Sequence, residues 1–386
     1  MNPLTSIVNT RKFTYFIILI ILVFSVRLLF ASSKDIPEKL LLKDYRPRSI
    51  YNVPRTDIPK ARYPAIDMHA HVYARNNEQI HEWIQLMDNV GINKVIILTG
   101  QTGKQFDDIY KLYSRYPERF ELWCGLDYTG YDKPGFGPAA VKELERCYRV
   151  GARGVGELGD KGKGLFYSKP VKAWGMHLDD ERMDPILEKC ADLGMPVNIH
   201  VADPRWMYEP MDEKNDGLMN AYKWRLDNQP GIVGHEGMIE ILGRAIKRHP
   251  KTTFVACHFA NCSDNLERLG KLLDKYPNLY ADISARYAET ATIPRYTGRF
   301  YKKYQDRLVY GTDMRFSRDM YEITFRILES SDEHFYAWNR FGYHWPLHGL
   351  DLPDEILRKV YRDNALNIIG SKNLSAVITK AKTSNP

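Results

Sequence analysis

Cysteine is scarce in this sequence, and its pattern argues against two kinds of small module. The chain of 386 residues has five cysteines, an odd number, and no CxxC pair occurs. A disulfide framework and a cysteine-based zinc module are therefore disfavoured. Cys257 and Cys262 are near enough in the sequence to pair, but we expect all five cysteines to be buried free thiols.

The sequence also lacks internal repeats, low-complexity segments and a basic stripe along the body of the chain. The net charge is +7, but much of the excess comes from residues 34–62, where eight basic residues occur with four acidic ones. The rest of the chain mixes both signs, so we expect no nucleic-acid groove. An apolar content of 44% with 12% aromatic residues is typical of a folded globule.

Long apolar runs are absent except near the N-terminus. Residues 13–26 form an uncharged apolar run that follows Arg11 and Lys12 and ends before Arg27. The run is short for a bilayer span of about 20 residues, but Arg27 can snorkel, and the run also fits a secretory signal. We predict a signal or membrane-anchor segment at residues 1–33 and a proline-containing tether at residues 34–63. A buried core helix is the alternative for the run.

The charges around this run predict the side of the membrane on which the folded domain lies. The short region with Arg11 and Lys12 resembles an export signal, and small residues at 31–33 suit cleavage. We predict a membrane-associated, exported protein with its folded domain on the extracytoplasmic side. Basic residues after the run outnumber those before it, which by the positive-inside rule makes the cytoplasmic face the alternative.

Strand and helix patterns alternate after the tether. We predict eight strands, at residues 65–69, 94–98, 120–126, 154–158, 196–201, 252–259, 279–284 and 307–311. Amphipathic segments separate them; Ile80, Trp83, Ile84 and Met87, for example, have helical spacing. Eight such units over about 250 residues predict an α/β fold, a (β/α)8 TIM barrel at residues 64–372, followed by a polar tail at 373–386. A doubly wound open sheet is the alternative, but only a closed barrel brings the ends of all these strands to one rim.

Metal-ligand side chains stand at the carboxyl ends of the predicted strands. Since a strand alternates its faces, Asp67, His69 and His71 should point the same way. Imidazole and carboxylate groups are the usual ligands of hydrolytic zinc and related ions. The candidate residues of this metal site are His69, His71, Glu157, His200, His258 and Asp313.

These residues and their surroundings resemble the amidohydrolase superfamily, most of all the amidohydrolase-related branch of hydrolases and decarboxylases. The resemblance covers roughly residues 64–370 and includes Asp-x-His-x-His at 67–71, Gly-Glu-Leu-Gly at 156–159 and Gly-Thr-Asp at 311–313. The ligands that it implies for one divalent ion, most simply Zn²⁺, are His69, His71, His200 and Asp313. Many members carry a carbamylated lysine on strand 4, whereas this chain has Glu157, which could bridge a second ion or only hydrogen-bond His71 or a helix N-terminus.

The resemblance also implies roles for individual residues. A bound Zn²⁺ lowers the pKa of water to about 7, and Asp313 would take the proton of that water. His258 would stabilise the developing oxyanion or bind the substrate. Long loops follow predicted strands 4 and 5, and we expect their aromatic residues, including Trp206, to contact the substrate. Arg286 and Arg315 follow strands 7 and 8 and are candidates to pair with a substrate carboxylate, with a structural role as the alternative.

Four functions are compatible with these residues to different degrees. The leading prediction is a metal-dependent hydrolase of a small-molecule amide, ester or lactone. The alternative is a non-oxidative decarboxylase of an aromatic or enol acid on the same metal site. A membrane-tethered binding protein is disfavoured because binding alone does not need Asp313. Phosphodiester hydrolysis by a two-metal site is disfavoured because no basic groove is evident.

Overall fold

The computed structural model describes residues 37–166 and 171–370. The predicted signal or anchor segment and the predicted polar tail lie outside these residues and stay predictions. Within the described ranges, no helix is long and apolar enough to cross a membrane. The chain divides into two units, Met1–Pro47 and Arg48–Pro386. The described part of the first unit contains two short 3-10 helices, Pro37–Lys39 and Leu42–Asp44.

Eight parallel strands form a closed barrel in the second unit, counted over its described residues. They are β1 (Ala65–Ala70), β2 (Ile92–Leu98), β3 (Phe120–Trp123), β4 (Val155–Asp160), β5 (Val197–Val201), β6 (Phe254–Ala256), β7 (Leu279–Asp282) and β8 (Leu308–Val309). The strands pair in chain order from β1 to β3 and from β4 to β8. A bridge between Cys124 and Val155 joins β3 to β4. The Met68 N–H donates to the Tyr310 carbonyl at 2.9 Å and joins β1 to the end of β8, so the predicted TIM barrel is confirmed.

Helices lie around the barrel and at its two ends. They are α1 (Asn77–Val90), α2 (Gly103–Tyr113), α3 (Phe136–Val150), α4 (Asp184–Leu193), α5 (Leu218–Trp224), α6 (His235–Arg248), α7 (Leu266–Lys275), α8 (Tyr287–Ala291), α9 (Pro294–Tyr304), α10 (Arg318–Glu329), α11 (Trp338–Phe341), α12 (Asp354–Arg358) and α13 (Asn364–Gly370). Helix α1 begins at an Asn76 cap and ends at Gly91, which has the left-handed φ of 82° that glycine favours. Its buried residues Ile80, Trp83 and Met87 recur with helical spacing, so one face packs on the barrel.

Residues 48–63, the second part of the predicted tether, contain no helix or strand and lie against the barrel. The Thr56 hydroxyl donates to the Asp332 carboxylate at 2.7 Å. Arg62 donates its backbone N–H to Glu329 at 3.1 Å and its guanidinium to Asp354 at 2.8 Å. This part of the predicted tether is therefore extended but bound to the ends of α10 and α12.

An apolar cluster packs inside the barrel. The side chains that pack there come from five strands and from α13: Ile66, Met68, Ile96, Leu98, Trp123, Val255, Val309, Ala365 and Ile368. Asn364 donates to the carbonyls of Gln305 and Leu308 at the amino end of β8, which places α13 across this end of the barrel. The five cysteines are all buried free thiols, as expected.

Candidate active site

The six predicted metal-site residues meet at the carboxyl ends of the strands. His71 Nε2 lies 3.0 Å from Asp313 Oδ1, and His69 Nε2 lies 3.6 Å from the same oxygen. His200 Nδ1 and His258 Nε2 lie 2.8 Å and 3.6 Å from Glu157 Oε1. Side chains from β1, β4 and β5 and from the segments after β6 and β8 therefore share one small volume.

The hydrogen bonds of three imidazoles determine where their lone pairs point. In each ring, Nδ1 lies 2.9–3.0 Å from an oxygen acceptor. The acceptor is the Asp282 carboxylate for His69, the Leu98 carbonyl for His71 and the Ser284 carbonyl for His258. A carbonyl or ionised carboxylate only accepts hydrogen bonds, so Nδ1 carries the proton in the neutral ring. Each Nε2 lone pair is then directed at the centre, which is the arrangement that metal ligation needs.

His200 has the reverse orientation. Its Nε2 donates to Asp203 Oδ1 at 3.0 Å, and its Nδ1 faces Glu157 Oε1 and lies 3.1 Å from His258 Nε2. Asp203 also pairs through Oδ2 with Lys161 Nζ at 2.6 Å. His200 thus takes part in the centre through Nδ1, whereas the other three histidines use Nε2.

The residues at this centre fit a divalent metal ion. His69 Nε2 is buried and has no hydrogen-bond partner among the described residues, which is rare for a buried polar atom. Possible ligand atoms of His69, His71 and Asp313 all lie within 4.8 Å of one another, and the same holds for His69, Glu157, Cys257 and His258. Imidazole and carboxylate ligands suit Zn²⁺ and Mn²⁺ alike. A divalent ion is therefore supported, without a preference for zinc.

The electrostatics of the centre also favour a cation. Burial acts to raise the pKa of Asp313, but the imidazoles of His69 and His71 outweigh it and lower this pKa to about 2. The pKa of Glu157 is likewise held well below its usual value, because the hydrogen bonds from His200 and His258 outweigh the effect of burial, which acts to raise it. Burial acts to lower the pKa of His69, yet nearby carboxylates raise it to about 10. The carboxylates therefore stay ionised and draw positive charge to the centre.

Asp67 does not share the face of His69, and that expectation was wrong. Its carboxylate accepts from the Thr312 hydroxyl at 2.7 Å and from the His69 N–H at 3.1 Å, and it lies 3.5 Å from the Tyr321 hydroxyl on α10. The pairing of β1 with β2 is irregular between Asp67 and Ala70. Such an irregularity breaks the two-residue alternation of a strand, so Asp67 faces α10 while His69 faces the centre.

The centre opens into a cavity of about 450 Å³. Loops after β4, β5, β7 and β8 supply most of its wall, as is usual for enzymes on this fold. Beyond the metal-site residues, the charged and polar side chains of the wall include Thr99, Lys161, Asp203, Asn220, Arg286, Glu289, Arg340 and Tyr343. The cavity is therefore large enough for a small molecule and presents charged groups close to the candidate metal position.

Of the three predicted substrate contacts, only Arg286 lines this cavity. Arg286 is buried, and its Nε and Nη2 donate to Asn261 Oδ1 at 2.8 Å and 2.7 Å, which holds the guanidinium in place. Arg315 is exposed and does not line the cavity, whereas its neighbour Met314 does. Trp206 does not line it either. Its ring packs edge-on against that of the lining residue Tyr343, with the ring centroids 6.1 Å apart.

Three residues near the centre were not predicted as site residues. Asp282 ends β7 just as the other candidates end their strands, so the same signal could have found it. Lys161 and Asp203 follow β4 and β5 within loops, and their ion pair joins two distant parts of the chain. No spacing in the sequence marks such a pair.

Comparisons with known proteins give the family and the fold. A family model described as Amidohydrolase matches residues 66–370. A dihydroxybenzoic acid decarboxylase from Polaromonas sp. JS666, solved with manganese and 2-nitroresorcinol, is 13% identical, with 80% of this chain and 97% of that chain covered and a TM-score of 0.52. A candidate amidohydrolase from Staphylococcus aureus is 17% identical, with 79% and 99% covered and a TM-score of 0.51. At these identities the likeness shows the fold alone. A search of curated proteins finds no match.

Proposed function

The chain belongs to the amidohydrolase family, and we propose that it is a divalent-metal-dependent hydrolase of a small-molecule amide, ester or lactone. The observation that carries the proposal is the convergence of His69, His71, Glu157 and Asp313 at the floor of a cavity that fits a small molecule. A bound divalent ion supplies a lowered water pKa and polarises a substrate carbonyl.

Asp313 is the proposed general base. Its side chain is 24% exposed, compared with 8% for Glu157, so it is the more accessible of the two acids at the centre. Its lowered pKa keeps it ionised at neutral pH and able to accept a proton from water. From this position it can return the proton to the leaving group. His258 Nε2 lies 3.6 Å from Asp313 Oδ2, and this nitrogen can bind the oxygen on which charge develops only when it carries a proton.

A non-oxidative decarboxylase of an aromatic or enol acid is the second candidate. It is supported by the buried guanidinium of Arg286 in the cavity wall, which could orient a carboxylate-bearing substrate beside the centre. The fold is also shared with a dihydroxybenzoic acid decarboxylase. In this reaction Asp313 would deliver a proton to carbon instead of accepting one from water.

Isotope labelling separates the two reactions. Purified metal-loaded protein is offered aryl esters, lactones and N-acyl amides in one set, and hydroxylated benzoates and enol acids in another, with metal-free protein as the control. Hydrolysis in H₂¹⁸O places ¹⁸O in the product carboxylate. Decarboxylation in D₂O releases CO₂ and places deuterium on the product carbon. Turnover of the second set alone, with deuterium incorporation, would reject the hydrolase proposal in favour of the decarboxylase.

We also propose that residues 1–33 target or tether the protein to a membrane and take no part in catalysis. The support is the apolar run at residues 13–26 and the position of every candidate ligand beyond residue 64. Large apolar side chains gain roughly 1.5–3 kcal/mol each on leaving water, so such a run should not remain solvated. Deleting residues 1–33 should release the protein from the membrane fraction with kcat/KM unchanged. A full-length protein that is soluble without detergent would reject the tether.

The side of the membrane is tested separately. Protease added to intact cells or spheroplasts should reach the barrel if the protein is exported. Protection of the barrel until the cells are lysed would instead support the cytoplasmic face.

A further inference from the structure

We propose that Asp203 is a positioning residue that directs Nδ1 of His200 into the metal centre, and that Lys161 holds Asp203 in place. The inference rests on the proposed metal-dependent function, because it concerns how the chain presents one ligand to a divalent ion. It assigns a role to two residues of the cavity wall that are outside the candidate ligand set.

The Asp203 carboxylate is buried and uses its two oxygens for different partners. The residue is 3% exposed. Oδ1 accepts from His200 Nε2 at 3.0 Å, and Oδ2 lies 2.6 Å from Lys161 Nζ. The Arg286 guanidinium lies 3.9 Å from Oδ1. Both oxygens of the carboxylate therefore face a donor, and Oδ1 is the acceptor for His200 Nε2.

The backbone around this pair is also held. The Tyr208 hydroxyl accepts from the Asp203 N–H at 3.3 Å and donates to the Lys161 carbonyl at 3.0 Å. Asn261 donates its side-chain amide to the Val201 and Ala202 carbonyls at 3.0 Å and 3.2 Å. The loops after β4 and β5 are thereby joined where the two side chains meet, and the direction of the Asp203 carboxylate is determined.

The consequence for His200 follows from its ring chemistry. Because Nε2 must donate to Asp203, Nδ1 is the only ring nitrogen that can ligate an ion. Nδ1 lies 2.8 Å from Glu157 Oε1 and 3.1 Å from His258 Nε2, so it points at the same centre as those two groups. Without Asp203, the imidazole would be free to rotate or to change its tautomer.

The test measures metal affinity rather than activity. Full-length protein is stripped of metal, and its Kd for Zn²⁺ is measured by competition with a chromogenic chelator. The visible spectrum of Co²⁺-loaded protein reports the ligand set, and thermal unfolding of the metal-free protein reports folding. We expect Asp203→Ala to weaken Zn²⁺ binding about 10- to 100-fold and to alter the Co²⁺ spectrum.

Two milder variants and a matched control accompany it. Asp203→Asn keeps an acceptor oxygen, and Lys161→Met removes only the charge that pairs with Asp203. Both variants should weaken Zn²⁺ binding, but less than Asp203→Ala does. Asp184→Asn is the control, since Asp184 also accepts from a buried histidine, His249, at 3.0 Å, but does not line the cavity. This variant should bind Zn²⁺ as wild type does.

The outcomes separate the inference from the proposed function. If wild type binds no divalent ion, the metal-dependent function is wrong. If wild type binds Zn²⁺ and the Asp203 and Lys161 variants bind it equally well, the function stands and the positioning role is rejected. If Asp203→Ala does not fold, the Kd values of Asp203→Asn and Lys161→Met decide the question in the same way.

Discussion

The apolar cluster inside the barrel and the charged centre at its carboxyl end use some of the same strands but opposite kinds of side chain. At the amino ends, β1 contributes Ile66 and Met68 to an apolar cluster that α13 covers. One residue further along β1, His69 belongs to a cluster of imidazoles and carboxylates. The change from apolar to charged therefore occurs within a few residues of a single strand.

This contrast separates stability from function. Each large apolar side chain buried at the amino ends contributes roughly 1.5–3 kcal/mol to the free energy of unfolding. Buried histidines and carboxylates at the carboxyl ends contribute less reliably, because their desolvation opposes their mutual attraction. Substitutions at the charged end should thus affect chemistry first, and those at the apolar end should affect folding first.

The largest effect is expected at the charged end from Asp313→Asn. The amide cannot accept the proton of water, so kcat should fall by about 100- to 10,000-fold, while the remaining ligands still retain metal. Steady-state kinetics on a confirmed substrate and elemental analysis check the two parts. The control is Asp274→Asn, at an exposed residue paired with Lys303. A near wild-type kcat for Asp313→Asn would mean that another group is the base.

At the apolar end, Ile368→Ala should destabilise the fold without changing the chemistry. Ile368 is 3% exposed in the cluster under the barrel, and its truncation should cost about 2–5 kcal/mol in the free energy of unfolding. Leu366→Ala, on the same helix but 38% exposed, is the matched control and should cost far less. Urea unfolding measures both. If the two substitutions lowered the free energy of unfolding equally, or if the folded Ile368→Ala variant had a lower kcat/KM, the separation of an apolar, stabilising end from a charged, catalytic end would be contradicted.

Glu157→Gln tests whether the charged end holds one ion or two. Glu157 lies within 3.8 Å of ring nitrogens of all four site histidines, which is the position of a bridging ligand. Elemental analysis should show that the substitution removes about one metal equivalent from a protein that holds between one and two. Full occupancy with affinity reduced about 10- to 100-fold would instead assign Glu157 to hydrogen-bonding a ligand. No change in either quantity would exclude both roles.

The smallest effect is expected at the edge of the charged end, where His177 Nδ1 lies 2.6 Å from Asp160 Oδ2. The hydrogen bond to Asp160 raises the pKa of His177. A histidine whose pKa is higher in the folded than in the unfolded state stabilises the fold. This contribution is complete at pH values below the pKa of the unfolded state and is lost as the pH rises through the pKa of the folded state. His177→Gln should therefore lower stability more at about pH 5.5 than at about pH 9. If urea unfolding shows that the substitution lowers stability equally at the two pH values, this assignment is rejected.

Much of the candidate site could be predicted because its signals are local. Each ligand ends a short apolar run, and parallel strands of a barrel bring their carboxyl ends to one rim, so His69, Glu157, His200 and Asp313 were predicted without tertiary information. Arg286 was predicted on the same ground and lines the cavity. Arg315 and Trp206 were predicted from similar positions, but Arg315 is exposed outside the cavity and Trp206 packs against the lining residue Tyr343.

The barrel, the types of the candidate ligands and their order along the chain follow from the sequence, because strand alternation and hydrophobic spacing act over a few residues. Tertiary structure alone decided the direction of Asp67, which depends on an irregular pairing between β1 and β2. It also decided which nitrogen of His200 faces the centre, since this depends on Asp203 and on its pairing with Lys161 from another loop. Hydrogen-bond direction and loop-to-loop pairing arise only when distant segments meet, and no local pattern encodes them.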